Sequence, residues 1–294
     1  MDFLRPSSLT EALEMKSQRP TAVPLAGGTD VMVELNFDQR RPEALLDLTG
    51  VDELTGWSRS DDDIVVGAGL PYTRLIDELG DRLPGLAMAA RTIGSPQIRN
   101  RGTVGGNLGS ASPAGDTHPA LLVSGARVEL ASTRGARVVA VDDFYLGPKR
   151  STIESDELIT AVHYPLPTGP EQFTKIGTRN AMVIAVCSFA IALHPATGSV
   201  RAAVGSAGPV PSRSSQAEEF LAEELSATDS WTVGTEPSDA VRRRFGELVA
   251  SEATPIDDVR GQADYRKHAL AVLARRALGW AWHDYRQGGV HACA

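Results

Sequence analysis

Two short glycine segments constrain this 294-residue sequence more than any other feature. The first, residues 26–30 (AGGTD), follows a strand-like stretch, and the second, residues 103–107 (TVGGN), lies in a polar stretch near the middle of the chain. Without a Cβ, glycine lets backbone N–H groups approach an anion closely. If residues 30–35 form a helix, Gly28 and Thr29 lie at its positive end. The pair could hold a diphosphate, and two ordinary tight turns are the alternative.

Charge and hydropathy exclude several classes of protein. The chain has 29 basic and 37 acidic side chains, a net charge of −8, and it has no long Lys/Arg cluster, so nucleic-acid binding is not expected. No apolar run reaches the roughly 18–20 residues that cross a bilayer. The N-terminus also lacks a basic segment followed by an apolar one. We therefore expect a cytoplasmic protein without a membrane span.

The chain carries few residues for metal or nucleophilic chemistry. Cys187 and Cys293 are its two cysteines, too few for a disulfide framework or for an iron–sulfur cluster, which needs about four thiolates. No histidine or carboxylate set has metal-ligand spacing, and no Ser/His/Asp or Cys/His arrangement is recognisable. Neither glycine segment matches the dinucleotide-binding or P-loop signature. We predict no metal site and no catalytic side chain, and any redox chemistry must use another cofactor.

Apolar periodicity and turn residues predict a mixed α and β protein. Helices are predicted at 8–17, 31–35, 72–79, 84–91, 117–124, 215–225, 238–252 and 263–284. Strands are predicted at 21–25, 44–48, 63–69, 126–131, 136–141, 157–164, 172–177, 183–193 and 199–206. A long loop is predicted from Ile93 to Asp116, and the Pro/Gly-rich residues 165–170 indicate a domain boundary. After this boundary we expect a sheet with helices packed on one side.

Two polar residues outside the glycine segments are further candidates. Asp116 could accept a hydrogen bond from a ligand hydroxyl, and capping the helix at 117–124 is the alternative of about equal weight. Lys175 lies in a strand-like stretch, where an exposed strand lysine is the simplest interpretation. Cys187, within an apolar strand, is expected to be buried packing.

Three longer motifs extend these segments and carry a family resemblance. They are residues 24–30 (PLAGGTD), 93–116 (IGSPQIRNRGTVGGNLGSASPAGD) and 175–185 (KIGTRNAMVIA). In this order and at these separations they resemble the FAD-binding medium subunit of the xanthine dehydrogenase family of molybdenum hydroxylases, which includes carbon monoxide dehydrogenase. The resemblance covers about residues 3–285.

The resemblance implies an α+β fold in two domains. Residues 1–168 would form a two-subdomain FAD-binding domain of the vanillyl-alcohol oxidase/MurB (PCMH) type, divided near residue 55 into 1–55 and 56–168. Residues 171–285 would form an α+β flavoprotein C-terminal domain made of a sheet plus helices, and 286–294 would be a tail.

The resemblance also implies which residues contact FAD. The first segment would hold the diphosphate, the second would continue this cradle toward the flavin, Asp116 would hold the ribityl side, and Lys175 would lie near the pyrimidine edge. A cation there stabilises the reduced flavin. The implied cofactor-binding residues are Leu25, Ala26, Gly27, Gly28, Thr29, Asp30, Val31, Ile93, Gly94, Thr103, Val104, Gly105, Gly106, Asn107, Asp116, Ile159 and Lys175.

By the same resemblance, this chain is the electron-transfer subunit of a heteromeric, xanthine dehydrogenase-like oxidoreductase. A molybdopterin-binding large subunit would carry the molybdenum and hydroxylate the substrate, by preference a purine, and a small subunit would carry two [2Fe–2S] clusters. FAD in this chain would pass the electrons to NAD+ or to another acceptor. A free-standing FAD oxidoreductase of the same fold, and a non-enzymatic assembly subunit, are the alternatives.

Overall fold

A computed structural model describes residues 1–288 of the chain. Of the predicted tail, 286–294, the structure describes residues 286–288. His291 and Cys293 lie outside the described residues. The described chain divides into two compact units, and each unit is built from separate stretches of sequence. The N-terminal unit comprises Met1–Leu75, Ser95–Ser112 and Gly125–Pro165. The C-terminal unit comprises Ile76–Gly94, Pro113–Ser124 and the chain from Leu166 onward.

The strands are β1 (Asp2–Leu4), β2 (Val23–Leu25), β3 (Ala44–Asp47), β4 (Trp57–Arg59), β5 (Asp63–Gly67), β6 (Arg127–Ser132), β7 (Gly135–Ala140), β8 (Tyr145–Gly147), β9 (Arg150–Ser151), β10 (Leu158–Pro165), β11 (Glu171–Ile176), β12 (Cys187–His194), β13 (Ser199–Gly205) and β14 (Ser212–Arg213). The helices are α1 (Leu9–Gln18), α2 (Val31–Asn36), α3 (Tyr72–Leu79), α4 (Pro84–Arg91), α5 (Pro96–Arg99), α6 (Val104–Ser110), α7 (Thr117–Ser124), α8 (Ser215–Ala227), α9 (Ser230–Val233), α10 (Asp239–Glu252) and α11 (Ala263–Arg286).

The N-terminal unit contains two sheets and a small hairpin. The first sheet is parallel, with β3 between β1 and β2. Ala44, Leu45 and Leu46 of β3 are all buried, which is the continuous apolar run expected of a central parallel strand. The second sheet is antiparallel in the order β4-β5-β10-β6-β7, and β8 pairs with β9. Leu46 and Leu158 belong to one apolar core, which joins the two sheets.

Side chains cap the N-terminus of helix α1. The Ser8 side chain accepts a hydrogen bond from the Glu11 N–H, and the Glu11 carboxylate accepts from the N–H and hydroxyl of Ser7. Lys16 on the same helix is buried and donates to the carbonyls of Pro20 and Ala22. These bonds hold the chain in the turn that leads into β2, directly before the first glycine segment.

The C-terminal unit is a four-stranded antiparallel sheet, β11-β12-β13-β14, with helices on both faces. Phe189 and Ile191 of β12 pack in a core with residues of α8, α10 and α11. On the opposite face α7 lies against β12 and β13, where a Cβ on Gly205 would come within 2.9 Å of Pro119. The prediction of helices on one side only was therefore wrong. Helices α4 and α7, which precede the sheet in sequence, cover its second face.

Two other local predictions were also wrong. The predicted loop 93–116 contains α5, with Ser95 as N-cap and Pro96 in its first turn, and α6, with Thr103 as N-cap. The glycines of residues 93–116 have low helix propensity, so the capping residues alone did not lead to a helix prediction. The strand predicted to start at residue 183 begins at Cys187. Residues 183–186 lie outside the strand and follow a turn in which Met182 takes a positive φ of 52°.

Candidate functional site

The first glycine segment connects the end of β2 to the start of α2 in the N-terminal unit. Leu25 ends the strand, Val31 is the first helical residue, and Asp30 is the helix N-cap without a side-chain capping bond. Gly28 has a φ of 73°, a left-handed conformation that glycine adopts without steric cost. The sequence thus places a strand, a glycine turn and a helix here, as predicted.

The N–H groups of this segment have no protein acceptor. Within residues 1–288, the backbone N–H groups of Gly27, Gly28, Thr29 and Asp30 donate no hydrogen bond to the protein, while the Gly28 carbonyl accepts from Met32. Apart from Asp30, which is exposed, these residues are half-buried. Consecutive unpaired N–H groups on a glycine turn form a concave donor set suited to an anion.

Gly27 also brings the two glycine segments together. An added Cβ at Gly27 would lie 2.0 Å from the Arg101 carbonyl oxygen and 2.9 Å from the Gly102 nitrogen. Only glycine permits this close approach of two backbone segments. Because Gly102 directly precedes Thr103, the first segment packs against the start of the second.

The second glycine segment is the first turn of α6, and its N–H groups are already used by the protein. The Gly105 N–H donates to the Ala68 carbonyl, and the Gly106 N–H donates to the Thr103 hydroxyl at 2.9 Å. An added Cβ on Gly105 would lie 2.5 Å from the Ala68 Cβ, so this glycine serves close packing. The N–H groups of Gly105 and Gly106 therefore already have protein acceptors, and the part this segment would play in the cradle stays a prediction.

This segment instead offers a surface of bare backbone. Gly106 and Gly109 are both exposed and lie three residues apart, hence on one face of α6. Asn107 is partly exposed beside them, whereas Val104 is buried. Ile159 of β10 lies next to this face, because a Cβ on Gly109 would be 3.8 Å from its Cδ1. A flat apolar group could pack closely on such a surface.

The C-terminal unit contains a buried ion pair between Asp116 and Lys175. The Lys175 ammonium donates to Asp116 Oδ2 at 2.6 Å, and the two side chains are 6% and 8% exposed. Lys175 also donates to the Thr92 carbonyl at 3.1 Å, and the Thr92 hydroxyl lies 3.4 Å from Asp116 Oδ2. Lys175 is therefore not the exposed strand lysine that the pattern alone favours.

Burial dominates the electrostatics of Asp116. Loss of hydration raises the pKa of its carboxyl group from 3.8 to about 6, although the Lys175 ammonium and the hydrogen bonds from Lys175 and Thr92 act in the opposite direction. The hydrogen bonds of the side chain go to Lys175 and Thr92, not to the N-terminus of α7. Its other oxygen, Oδ1, is buried and has no hydrogen-bond partner in the described chain. An unpaired buried carboxylate oxygen is a strong acceptor for a ligand hydroxyl.

Sequence reasoning missed Thr92, which contacts both members of this pair. Thr92 follows α4, and no motif or spacing distinguishes it in the sequence. Ile93 and Gly94 come directly after it, with the Ile93 N–H donating to the Ala90 carbonyl and Gly94 at a positive φ of 47°. The predicted residues 93 and 94 therefore belong to the C-terminal unit, together with Asp116 and Lys175.

The two units offer different groups to a ligand. No group of three or more His, Cys, Asp or Glu residues suited to a metal ion occurs within residues 1–288. Cys187 is buried, and burial raises the pKa of its thiol to about 12, so it is an unreactive packing residue as expected. The N-terminal unit offers N–H donors for an anion, and the C-terminal unit offers a buried cation and a free acceptor.

Two family profiles match nearly the whole chain. The FAD binding domain in molybdopterin dehydrogenase matches residues 1–167, and the CO dehydrogenase flavoprotein C-terminal domain matches residues 172–281. Among the described residues, no helix is both long and apolar enough to cross a membrane.

Curated relatives and solved structures are similar over the same length. The xanthine dehydrogenase FAD-binding subunit of Escherichia coli O157:H7 is 29% identical, with 95% of each chain covered. The carbon monoxide dehydrogenase medium chain of Afipia carboxidovorans is 31% identical, with 94% of this chain and 95% of the relative covered. A crystal structure of Cu,Mo-CO dehydrogenase superposes with a TM-score of 0.86 at 29% identity, covering 96% of this chain and 98% of that one. Quinoline 2-oxidoreductase from Pseudomonas putida 86 gives 0.87 at 25% identity, covering 99% and 98%.

Proposed function

Since this chain belongs to the FAD-binding subunits of the molybdenum hydroxylase family, with the α+β fold expected of them, we propose that it is the electron-transfer subunit of a xanthine dehydrogenase-like complex. It is an oxidoreductase subunit, and its cofactor is FAD. The observation that carries the proposal is the first glycine segment, whose four unpaired N–H groups are available to a diphosphate.

Each unit, taken by itself, contains residues that fit one part of FAD. Residues 26–30 would bind the diphosphate through backbone N–H groups, and Asp116 Oδ1 would accept a hydrogen bond from a ribityl hydroxyl. The exposed glycine face of α6 would continue from the diphosphate toward the flavin, and Ile159 beside it would contact the region of the flavin ring. Bound FAD supplies the redox chemistry, because it can take up and release electrons one or two at a time.

Lys175 would set the local charge near the flavin. A cation beside the pyrimidine edge favours the anionic reduced form. Because the ammonium is paired with Asp116 at 2.6 Å, that carboxylate offsets part of its effect. Asp116 would therefore tune the cofactor in two ways, by holding a hydroxyl and by reducing the net positive charge at Lys175.

The partner chains are the second part of the proposal. A molybdopterin-binding large subunit would hydroxylate the substrate, for which we propose a purine. A small subunit with two [2Fe–2S] clusters would deliver the electrons to this chain. NAD+ or another acceptor would then take them. The curated relatives support a heteromeric assembly, since they include medium chains of carbon monoxide dehydrogenase and an FAD-binding subunit of xanthine dehydrogenase. The cytoplasmic location expected from the sequence remains a prediction.

We expect the purified chain to bind one equivalent of FAD noncovalently, and Gly28→Ala to weaken that binding about tenfold. Alanine at a φ of 73° adds strain of about 1 kcal/mol and turns the N–H groups of residues 27–30 away from a common center. Gly234→Ala is the matched control, because Gly234 has the same φ of 73° and nothing within 4 Å of an added Cβ. FAD content after gel filtration and acid precipitation gives the stoichiometry, and fluorescence titration gives the affinity.

Both variants carry the same backbone strain, so a difference in FAD affinity reports on the first glycine segment alone. A wild-type chain that stays colourless with added FAD would contradict the proposed function. Equal FAD affinity for Gly28→Ala and the wild type would contradict the assignment of the diphosphate to this segment.

A further inference from the structure

An arginine-rich groove lies between α10 and α11 in the C-terminal unit, apart from the residues assigned to FAD. Its volume is about 550 Å³. The groove is lined by Glu236, Asp239, Arg242, Arg243, Arg275, Arg276, Gly279, Trp280 and His283. We call this the arginine groove.

The helical repeat of α11 builds one wall of the arginine groove. Arg276, Trp280 and His283 follow at intervals of four and three residues, so their side chains lie along one face. Gly279 keeps the floor open between them, where an added Cβ would lie 3.5 Å from Arg242 Nη1. Trp280 is 48% exposed, whereas Trp282 on the same helix is fully buried. Trp280 therefore presents an apolar surface directly beside the arginines of the groove.

The cations of the groove are only partly compensated. Arg242 donates to Glu236 at 2.7 Å and to Asp239 at 2.9 Å. Arg243, Arg275 and Arg276 are exposed and form no ion pair or hydrogen bond through their side chains with any residue in 1–288. Three unpaired arginines converge here on a chain whose net charge is −8. This local reversal of charge marks the groove as a place for a negative partner.

The chemistry of the arginine groove favours a protein as its negatively charged ligand over a free phosphate compound. The lining residues of α11 lie in the C-terminal half of a helix of 24 residues, where backbone N–H groups are bonded within the helix and cannot cradle a phosphate. Glu236 and Asp239 at one end would repel a polyphosphate, whereas a protein surface can place a neutral or basic group there. Arg and Trp are also the residue types that contribute most binding energy at protein interfaces.

We propose that the arginine groove is the docking surface for a partner subunit, which inserts an acidic segment with carboxylates opposite Arg243, Arg275 and Arg276. An apolar or planar side chain of that segment would cover Trp280. The inference rests on the proposed function, because it presumes that the chain works in a heteromeric complex.

Charge reversal in the groove tests this inference. The full chain, carrying FAD, is titrated with the molybdenum and iron–sulfur chains of its complex, and the dissociation constant is measured at low and at high salt. We expect Arg275→Glu/Arg276→Glu to weaken assembly at least tenfold at low salt and to reduce its salt dependence. Trp280→Ala is expected to weaken assembly by a similar factor at both salt concentrations.

Arg59→Glu/Arg150→Glu is the matched control. These two arginines are exposed in the N-terminal unit, and the double variant changes the net charge by the same amount. FAD content and thermal unfolding should equal those of the wild type in all three variants. Equal weakening by the control and the groove variant would overturn the inference, since it would assign the effect to overall charge.

The remaining outcomes separate the inference from the proposed function. A wild-type chain that assembles, with groove variants that assemble equally well, overturns the inference and leaves the proposed function standing. Binding of ATP to the wild type that is lost in Arg275→Glu/Arg276→Glu, with assembly unchanged, overturns it in favour of a nucleotide site. A wild-type chain that binds neither partner chain contradicts the proposed function itself.

Discussion

Replacing Gly27 by alanine is expected to destabilise the N-terminal unit by about 3 kcal/mol and to abolish stoichiometric FAD binding. The added Cβ would lie 2.0 Å from the Arg101 carbonyl oxygen and 2.5 Å from the Arg101 carbonyl carbon. Both are backbone atoms, so no side-chain rotation relieves the contact, and the two segments must separate. Separation moves the unpaired N–H groups of residues 27–30 away from the start of α6. Urea unfolding and FAD content of the purified variant measure the two effects.

Gly56→Ala is the control for this variant. An added Cβ at Gly56 meets nothing within 4 Å, so stability and FAD content should stay at wild-type levels. If Gly27→Ala keeps the wild-type unfolding midpoint and one equivalent of FAD, the close approach of the two segments is not what forms the site.

Replacing Lys175 by methionine is expected to lower the free energy of unfolding at pH 7 by about 3–5 kcal/mol, because it leaves the buried Asp116 without its cation. Asp116→Asn should also destabilise, since it leaves a buried ammonium with Thr92 as a weaker partner. The double variant Lys175→Met/Asp116→Asn contains neither charge and should be more stable than Lys175→Met. Chemical denaturation of the four proteins gives the coupling energy. Additive effects of the two substitutions would contradict a buried, coupled pair.

The free energy of unfolding of these proteins should depend on pH in different ways. Burial raises the pKa of Asp116 from 3.8 to about 6, so the folded chain binds the proton more tightly than the unfolded chain. The contribution of this group to stability is therefore complete below pH 4 and is lost as the pH rises toward about 6, by roughly 3 kcal/mol. Asp116→Asn should lack this slope, and Lys175→Met should regain stability at pH 5 compared with pH 7. A difference between wild type and Asp116→Asn that does not change from pH 4 to pH 7 would contradict the raised pKa.

Local sequence signals predicted most of the secondary structure. The predicted helices at 72–79, 84–91 and 117–124 have the bounds of α3, α4 and α7. Pro84 marks the start of α4, and an apolar face marks α3. The strand, glycine turn and helix at 21–35 were also predicted. Helix α5 was missed because it has four residues, and α6 was missed because it is short and three of its seven residues are glycine.

Long-range packing could not be predicted in the same way. Nothing in residues 76–94 and 113–124 indicates that they cover the second face of the C-terminal sheet, since this depends on contacts far apart in sequence. The pairing of Asp116 with Lys175 spans 59 positions. Thr92 contacts Lys175 through its carbonyl and Asp116 through its hydroxyl, and no sequence signal indicates either contact. The use of the Gly105 N–H group by the Ala68 carbonyl was hidden for the same reason. Motifs therefore identified the candidate residues, while their donors, acceptors and charges had to come from the structure.

In the proposed function, this chain transfers electrons and does not oxidise the substrate itself. The most direct measurement compares the reconstituted complex with and without FAD in this chain, using xanthine or whichever substrate reduces the molybdenum chain. Without FAD, we expect the substrate to reduce the iron–sulfur clusters to the normal extent, followed by no electron transfer to NAD+ or an artificial acceptor. The isolated FAD-loaded chain should not oxidise the substrate. Substrate oxidation by the isolated chain, or full acceptor reduction by the FAD-free complex, would contradict the account.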